Sequence, residues 1–252
     1  MKHYQQLLKL GCFTREDVAK IVGNTKTADS LLYSYKKGGL IASVRRNLYT
    51  ALSLETNESV CSPYEISSFI TKCSYISHHS AFDYYGMTNQ VFSQIYISSY
   101  TKFNDFDFYG KHYKYIASKT DKGINTIGKV RVTDIERTIV DSIKDFSKIA
   151  GLEELFKCLA MVTHVSEERI IEYLQIYNNN FLWQKAGFIL SLFPSMKISD
   201  VFFDICKNNK GKSVRYLYDN LKYENCIYMK NWGLFVPNNI MGLISETGEA
   251  IV

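Results

Sequence analysis

Short runs of apolar residues at helical spacing alternate with glycines through the first forty residues, and this pattern predicts three helices. The runs end at Gly11, at Gly23 and at the pair Gly38-Gly39. Thr14, with Asp17 three positions later, is typical of the capping chemistry that begins a helix. In the third helix the apolar positions recur at i, i+3, i+4 and i+7, which predicts one buried stripe made of Ala28, Leu31, Leu32 and Tyr35.

The opposite face of this third helix is polar. At about 100° per residue, that face carries Lys26, Ser30, Tyr33 and Lys37. Thr25 and Thr27 flank the helix start. Ammonium, hydroxyl and phenol groups on a helix whose other face is buried suit insertion into a DNA major groove, where they meet phosphates and base edges. The alternative is an ordinary solvated face.

Two strand-like runs follow, residues 40–44 and 48–52, and they predict a hairpin with Arg45 and Arg46 at its tip. Three helices and a hairpin occur in this order in a winged helix-turn-helix, whose wing reaches the DNA backbone or minor groove. We therefore predict a DNA-binding winged helix-turn-helix domain over residues 1–56. The other possibility is a module of this shape that makes only protein contacts.

The distribution of charge agrees with a polyanionic partner for this segment. The chain has 30 basic and 25 acidic residues and a net charge of +5. Residues 1–54 contain nine lysines or arginines and three acids, so the positive excess lies in the first fifth of the chain. A concentrated basic segment is expected to bind nucleic acid through its phosphates.

The remainder of the chain predicts a mixed body. A polar segment, 55–62, precedes Pro63, which suits the first turn of a helix capped by Ser62, and we place a second domain at 63–252. Aromatic and β-branched runs predict a small sheet at about 90–132, and apolar-periodic runs predict a helical part at about 134–208. The predicted fold class is α+β, with a largely helical C-terminal half.

Sequence motifs for catalysis and metal binding are missing. The six cysteines form no Cys-x-x-Cys pair. His79 and Asp83 have a spacing that can ligate a metal, but no third ligand lies near them in the sequence. The chain contains no complete P-loop, no Gly-x-Ser-x-Gly, no His-Glu-x-x-His and no Asp/Glu-x-Lys nuclease motif. We expect a protein that is not an enzyme and that has no metal and no cofactor.

No stretch reaches the roughly 18 consecutive apolar residues that a membrane span needs. The first ten residues also lack the apolar core of a secretion signal. We expect a cytoplasmic protein with no membrane partner.

Several segments together resemble the AbiEi-type antitoxins of bacterial type IV toxin-antitoxin and abortive-infection systems. The most specific of them is the run Val132-Thr133-Asp134-Ile135-Glu136-Arg137-Thr138-Ile139-Val140-Asp141. The segments 13–52, 75–82, 85–88 and 181–190 also resemble the family. Within the most specific run, Arg137 and Asp141 stand at i and i+4, which predicts an ion pair, with burial preferred over a functional surface contact.

The resemblance implies a repressor and antitoxin. It implies that the N-terminal domain binds inverted repeats in its own promoter, which gives negative autoregulation. It further implies that the second domain counters a nucleotidyltransferase-like toxin without forming a stable complex. Two other interpretations remain open: a winged-helix regulator with a ligand-sensing body and no toxin partner, and an enzyme such as a nuclease fused to a DNA-targeting module.

Overall fold

The computed structural model describes residues 2–248, which form two compact units of mixed α and β structure. The first unit comprises residues 2–76, 93–118 and 126–132, and the second comprises residues 77–92, 119–125 and 133–248. The helices, in chain order, are α1 (Tyr4–Leu10), α2 (Arg15–Val22), α3 (Thr25–Lys37), α4 (Pro63–Phe69), α5 (His79–Tyr84), α6 (Ile135–Lys144), α7 (Leu152–Ala160), α8 (Glu167–Tyr177), α9 (Asn180–Leu190), α10 (Asp200–Asn209) and α11 (Ile240–Ser245). The strands are β1 (Cys12–Phe13), β2 (Ile41–Arg45), β3 (Leu48–Ala51), β4 (Tyr75–Ile76), β5 (Gln94–Ser99), β6 (Phe106–Phe108), β7 (Lys111–Ala117), β8 (Ile124–Ile127), β9 (Val130–Thr133), β10 (Arg215–Tyr216), β11 (Cys226–Met229) and β12 (Leu234–Pro237). This content agrees with the predicted α+β class.

The N-terminal part of the first unit contains the three predicted helices and the predicted hairpin. Thr14 and Asp17 form a reciprocal capping box at the start of α2, and Gly23 ends that helix in the left-handed conformation. Asn24 then caps α3 through the amide of Thr27. The hairpin of β2 and β3 gains a third antiparallel strand, β1, so that the order is β1-β3-β2. Strand β1 was not predicted, because two residues are too few for a periodic signal.

Side chains from all three helices and from the hairpin close one apolar core. The buried members of this core are Tyr4, Leu7, Phe13, Val18, Ala28, Leu32, Tyr35, Ile41 and Ala51. Burying aliphatic and aromatic side chains of this size contributes roughly 1.5–3 kcal/mol each, before the entropy of ordering the chain is subtracted. The core therefore fixes the orientation of α3, whose polar face is the candidate DNA-reading surface.

A six-stranded mixed sheet contributes most of the remaining first unit, with strand order β6-β7-β5-β4-β9-β8. Strands β5 and β7 are parallel, and β4 is antiparallel to β5 but parallel to β9. The small sheet expected at about 90–132 is present, and β4, at Tyr75–Ile76, lies outside that range. As predicted, Pro63 occupies the first turn of α4, and Ser62 caps this helix in a capping box with Glu65.

The second unit is largely helical, and α9 lies inside it. All residues from Leu182 to Leu190 are buried. At Gly187 a Cβ atom would lie 2.2 Å from a ring carbon of Trp232, so only glycine allows this close approach. A three-stranded sheet of order β10-β12-β11 also belongs to this unit.

Candidate nucleic-acid interface

Helix α3 presents opposite faces to the core and to solvent, as its periodicity predicts. Ala28, Leu32 and Tyr35 are buried, and Leu31 is half-buried. The apolar stripe is packed against the rest of the module, which leaves the polar stripe outward. The orientation of the helix follows from this hydrophobic pattern.

The structure leaves every predicted site residue of α3 exposed. Thr25, Lys26, Thr27, Ser30 and Lys37 are all exposed. Their neighbour Tyr33 keeps 72% of its surface accessible. The Ser30 hydroxyl donates to the Lys26 carbonyl at 3.2 Å, a local bond that leaves the hydroxyl oxygen available as an acceptor. A surface of two ammonium groups, hydroxyls and a phenol therefore runs along α3.

One carboxylate, Asp29, lies on α3 beside this surface, and a bidentate ion pair offsets its charge. Arg15 of α2 donates from Nε to Asp29 Oδ1 at 2.5 Å and from Nη2 to Oδ2 at 2.7 Å. The hydrogen bond from Arg15 lowers the pKa of the Asp29 carboxyl. The pair is exposed, so its contribution to stability is small. Its electrostatic effect is to reduce repulsion between Asp29 and an approaching phosphate.

The turn of the hairpin is short and is held against the start of α2. It consists of Arg46 and Asn47, and Asn47 has a φ of 60°, which asparagine tolerates better than most residues. The Asn47 side chain accepts from the Arg15 amide at 3.1 Å and donates to Glu16 Oε2 at 2.9 Å. These bonds fix the position of the turn, and Arg46 is exposed on it.

Arg45 does not share the exposed tip with Arg46, and this corrects the sequence-based prediction. Arg45 is the last residue of β2, is half-buried, and lies with its guanidinium carbon 5.5 Å from the centroid of Phe103 and 5.6 Å from that of Phe106. Within the described residues, its buried Nη1 atom has no hydrogen-bond partner. Successive side chains of a strand point to opposite faces, and a guanidinium stacks well on aromatic rings. Arg45 is therefore a packing residue, and Arg46 is the arginine that solvent reaches.

Sequence reasoning did not single out Lys36, which is exposed on α3. Lys36 and Tyr33 line a cleft of about 230 Å³ between α3 and the hairpin, together with Ser43 and Tyr49 on the strands. Its position three residues after Tyr33 places it one turn further along the same side of α3. That spacing could have identified it from the sequence.

The run 132–141, in which the resemblance to the antitoxins is most specific, leads into α6, and its polar side chains are buried. Asp134 caps the helix through the amide of Arg137 at 2.8 Å and accepts from the Tyr173 hydroxyl at 2.5 Å. The predicted i, i+4 ion pair is present, with Arg137 Nε 3.5 Å from Asp141 Oδ2 and both side chains nearly inaccessible. Burial raises the pKa of Asp134, and its hydrogen bonds oppose that shift. The preferred interpretation of a buried structural pair is therefore confirmed.

A second group of side chains in the same unit has metal-ligand chemistry. His79 Nε2 lies 3.1 Å from Glu154 Oε1, and Cys158 Sγ lies 3.7 Å from the same oxygen. Burial lowers the pKa of His79, while burial and the Glu154 carboxylate raise the pKa of Cys158. The sequence showed no third ligand near His79 and Asp83, and it could not reveal this group, because Glu154 and Cys158 are remote from His79 in the sequence.

Among residues 2–248, none of the helices combines the length and the apolar character needed to cross a lipid bilayer.

Comparisons with known proteins identify a fold relative. No protein-family model matches the chain, and no curated protein matches it significantly. The crystal structure of the RV2827C protein from Mycobacterium tuberculosis is similar, with a TM-score of 0.68 and 13% sequence identity. The match covers 98% of this chain and 93% of that chain. At this level of identity the similarity shows a shared fold across nearly the whole chain.

Proposed function

We propose that the N-terminal part of the chain is a winged helix-turn-helix that binds double-stranded DNA through α3. The protein would act as repressor of its own operon and as antitoxin against a nucleotidyltransferase-like toxin. The observation that carries the DNA-binding proposal is the outward face of α3, where Lys26, Ser30, Tyr33 and Lys37 are all exposed.

The order of elements supports this assignment. Helices α2 and α3 are joined by the Gly23-Asn24 turn, and the β2-β3 hairpin follows α3 directly. In a winged helix-turn-helix the third helix enters the major groove and the hairpin contacts the flanking backbone. Here α3 is held by a closed apolar core, so its polar face is presented to the groove without rearrangement.

Each side chain has a role that follows from its chemistry. Lys26 and Lys37 are point charges suited to phosphates, and Arg46 on the turn is suited to the flanking backbone.

Ser30 and Tyr33 can read base edges, because a hydroxyl both donates and accepts. Thr25 and Thr27 lie at the start of α3, where the positive end of the helix dipole favours a phosphate. Arg45 is left out of the interface because its guanidinium packs on aromatic rings.

The DNA-binding proposal is tested by fluorescence anisotropy on the DNA upstream of the gene. We expect the double variant Lys26→Ala with Lys37→Ala to weaken binding by roughly tenfold or more, on all DNA sequences alike. Lys207→Ala, which removes an exposed lysine of α10, is the matched control and should bind as the wild type does. Equal binding by the double variant and the control would refute the assignment of α3.

A second pair of variants separates sequence recognition from phosphate binding. Ser30→Ala with Tyr33→Ala should reduce the affinity ratio between the promoter repeat and a scrambled duplex, since each base-specific contact contributes about 1–3 kcal/mol of discrimination. Binding to the scrambled duplex should change little. An unchanged affinity ratio would show that residues other than Ser30 and Tyr33 recognise the bases.

The antitoxin part of the proposal is supported by the family resemblance, and it is tested in cells. Co-expression with the product of the adjacent gene should relieve growth arrest if that gene encodes a nucleotidyltransferase-like toxin. Because the resemblance implies no stable complex, co-purification of the two proteins is not required. A harmless neighbouring product, or toxicity that this protein does not relieve, would favour the regulator with a ligand-sensing body.

A further inference from the structure

Three buried side chains of the second unit bring a nitrogen, an oxygen and a sulfur atom together. His79 is the first residue of α5, while Glu154 and Cys158 are four residues apart on α7. Their ligand atoms all lie within 4.8 Å of one another, and each residue is at most 5% exposed. Residues at i and i+4 share one face of a helix, so α7 presents both groups toward His79.

The two distances that Glu154 makes are close to those of a tetrahedral metal site, and the third, between His79 and Cys158, is at most 4.8 Å. With Zn–N and Zn–O bonds of about 2.0–2.2 Å and a Zn–S bond of about 2.3 Å, neighbouring ligand atoms lie roughly 3.3–3.7 Å apart. The two separations measured from Glu154 Oε1 are 3.1 Å to His79 Nε2 and 3.7 Å to Cys158 Sγ. A cation at the centre therefore requires side-chain shifts of only a few tenths of an ångström along these separations.

The charge balance at Glu154 also favours a cation. No lysine or arginine of residues 2–248 lies within ion-pair distance of its carboxylate, whose partners are the His79 imidazole, the Cys158 thiol and the Thr88 hydroxyl. A buried carboxylate without a positive partner is costly, whereas one that coordinates a metal is not. Thiolate, imidazole and carboxylate are the ligands that Zn²⁺ prefers in proteins. The same donor set also suits Co²⁺.

We propose that His79, Glu154 and Cys158 bind one Zn²⁺ ion, which connects α5 to α7. A water molecule would complete the tetrahedron, and the Thr88 hydroxyl, 2.9 Å from Glu154 Oε1 and 3.3 Å from His79 Nε2, is placed to bond it. The His79 ring packs edge-to-face with Phe92, with centroids 4.1 Å apart, which restricts its rotation. Cys158 binds as thiolate, so its sulfur proton passes to the buffer when the metal enters.

The role of this site is structural, and it is independent of the proposed DNA-binding and antitoxin functions. His79 lies 75 residues before Glu154 and four more before Cys158, so the metal closes a long loop of the chain. A metal that binds only the folded chain stabilises it by mass action.

The experiment uses the full chain, freed of metal by a chelator and dialysed. Calorimetric titration with Zn²⁺ should give one ion per chain, and comparing buffers of different ionisation enthalpy should reveal the proton release. Adding Zn²⁺ should also raise the melting temperature of the chain. Titration with Co²⁺ should produce visible ligand-field bands of tetrahedral intensity and a near-ultraviolet sulfur-to-cobalt charge-transfer band. That band reports the thiolate directly.

Variants assign the ligands. Cys158→Ser is nearly isosteric and should abolish the charge-transfer band and weaken Zn²⁺ binding by more than about 100-fold, since loss of even an outer-shell partner costs 10–100-fold. Cys206→Ser, which alters another buried thiol of the same unit, is the matched control. It should keep the charge-transfer band and the wild-type affinity for Zn²⁺. His79→Gln tests the nitrogen ligand in the same way.

Two results would overturn the proposal. The first is a wild-type chain that binds no Zn²⁺ or Co²⁺ in the micromolar range, which would leave the three groups as a hydrogen-bonded cluster. The second is binding with no charge-transfer band, or with a band that Cys158→Ser retains, which would place the metal elsewhere. Both can be read on the wild type or on a nearly isosteric variant, so they do not depend on a variant that fails to fold.

Discussion

The salt dependence of DNA binding tests the interface at the level of single cations. For duplex DNA the logarithm of the binding constant falls with the logarithm of salt concentration, by about 0.9 for each phosphate that a cation neutralises. Lys26 and Lys37 are both exposed on the outward face of α3. Removing both should therefore reduce the magnitude of the slope by about 1.8. Removing Arg46 from the hairpin turn should reduce it by about 0.9.

Arg45 is the discriminating case, because sequence and structure give opposite expectations for it. As a tip arginine it would contribute as much as Arg46, but its guanidinium packs on Phe103 and Phe106. We expect Arg45→Ala to leave the slope unchanged and to lower the stability of the folded chain through lost packing.

The assay is fluorescence anisotropy with one labelled duplex at five salt concentrations, run in parallel on the wild type and on each variant. Lys207→Ala is the control for loss of one exposed positive charge outside the module. An Arg45→Ala slope that changes as much as that of Arg46→Ala would contradict the packing role of Arg45. A wild-type slope in the double lysine variant would contradict the phosphate contacts of α3.

Three further predictions concern the second unit. Gly187→Ala should lower the free energy of unfolding by about 1–3 kcal/mol in urea titrations, because its Cβ would lie 2.2 Å from an indole carbon. Gly242→Ala, in α11 with open space around it, should not lower it and should raise it by up to about 1 kcal/mol. Arg137→Met should cost about 3–5 kcal/mol by leaving Asp141 buried without its cation, and a cost under 1 kcal/mol would contradict the buried pair. Burial lowers the pKa of Lys185 to about 8 in the folded chain. Between pH 8 and 10 the unfolded chain therefore binds more protons than the folded one, and folding becomes more favourable as pH rises. The free energy of unfolding of the wild type minus that of Lys185→Met should accordingly rise over this range. A difference that is flat or falls with pH would contradict that assignment.

The elements of the N-terminal module could be predicted because their signals are local. A capping box needs only Thr14 and Asp17, and the stripe of α3 needs only one helix period. Both are set by residues within a few positions of each other. The same locality explains why the two-residue strand β1 was missed, since it forms only by pairing with β3, nearly forty residues later.

Long-range packing decided the features that the sequence did not reveal. Arg45 is half-buried against aromatic residues more than fifty positions away, and His79 meets Glu154 across 75 positions. Neither partner is marked by spacing or periodicity. The parallel pairing of β4 with β9 is similarly remote, because two short strands far apart in sequence carry no register signal.

The buried state of the α6 motif bears on where an antitoxin surface can lie. Arg137 donates to the Lys122 carbonyl and pairs with Asp141, which in turn accepts from the Tyr177 hydroxyl. Side chains that are paired inside the unit and inaccessible to solvent cannot contact a toxin without unfolding their surroundings. The motif that is most specific to the family is therefore expected to maintain the fold. The proposed antitoxin role would therefore fall to exposed residues. Surface substitutions that preserve stability are the informative test of that role, and substitutions in this motif are not.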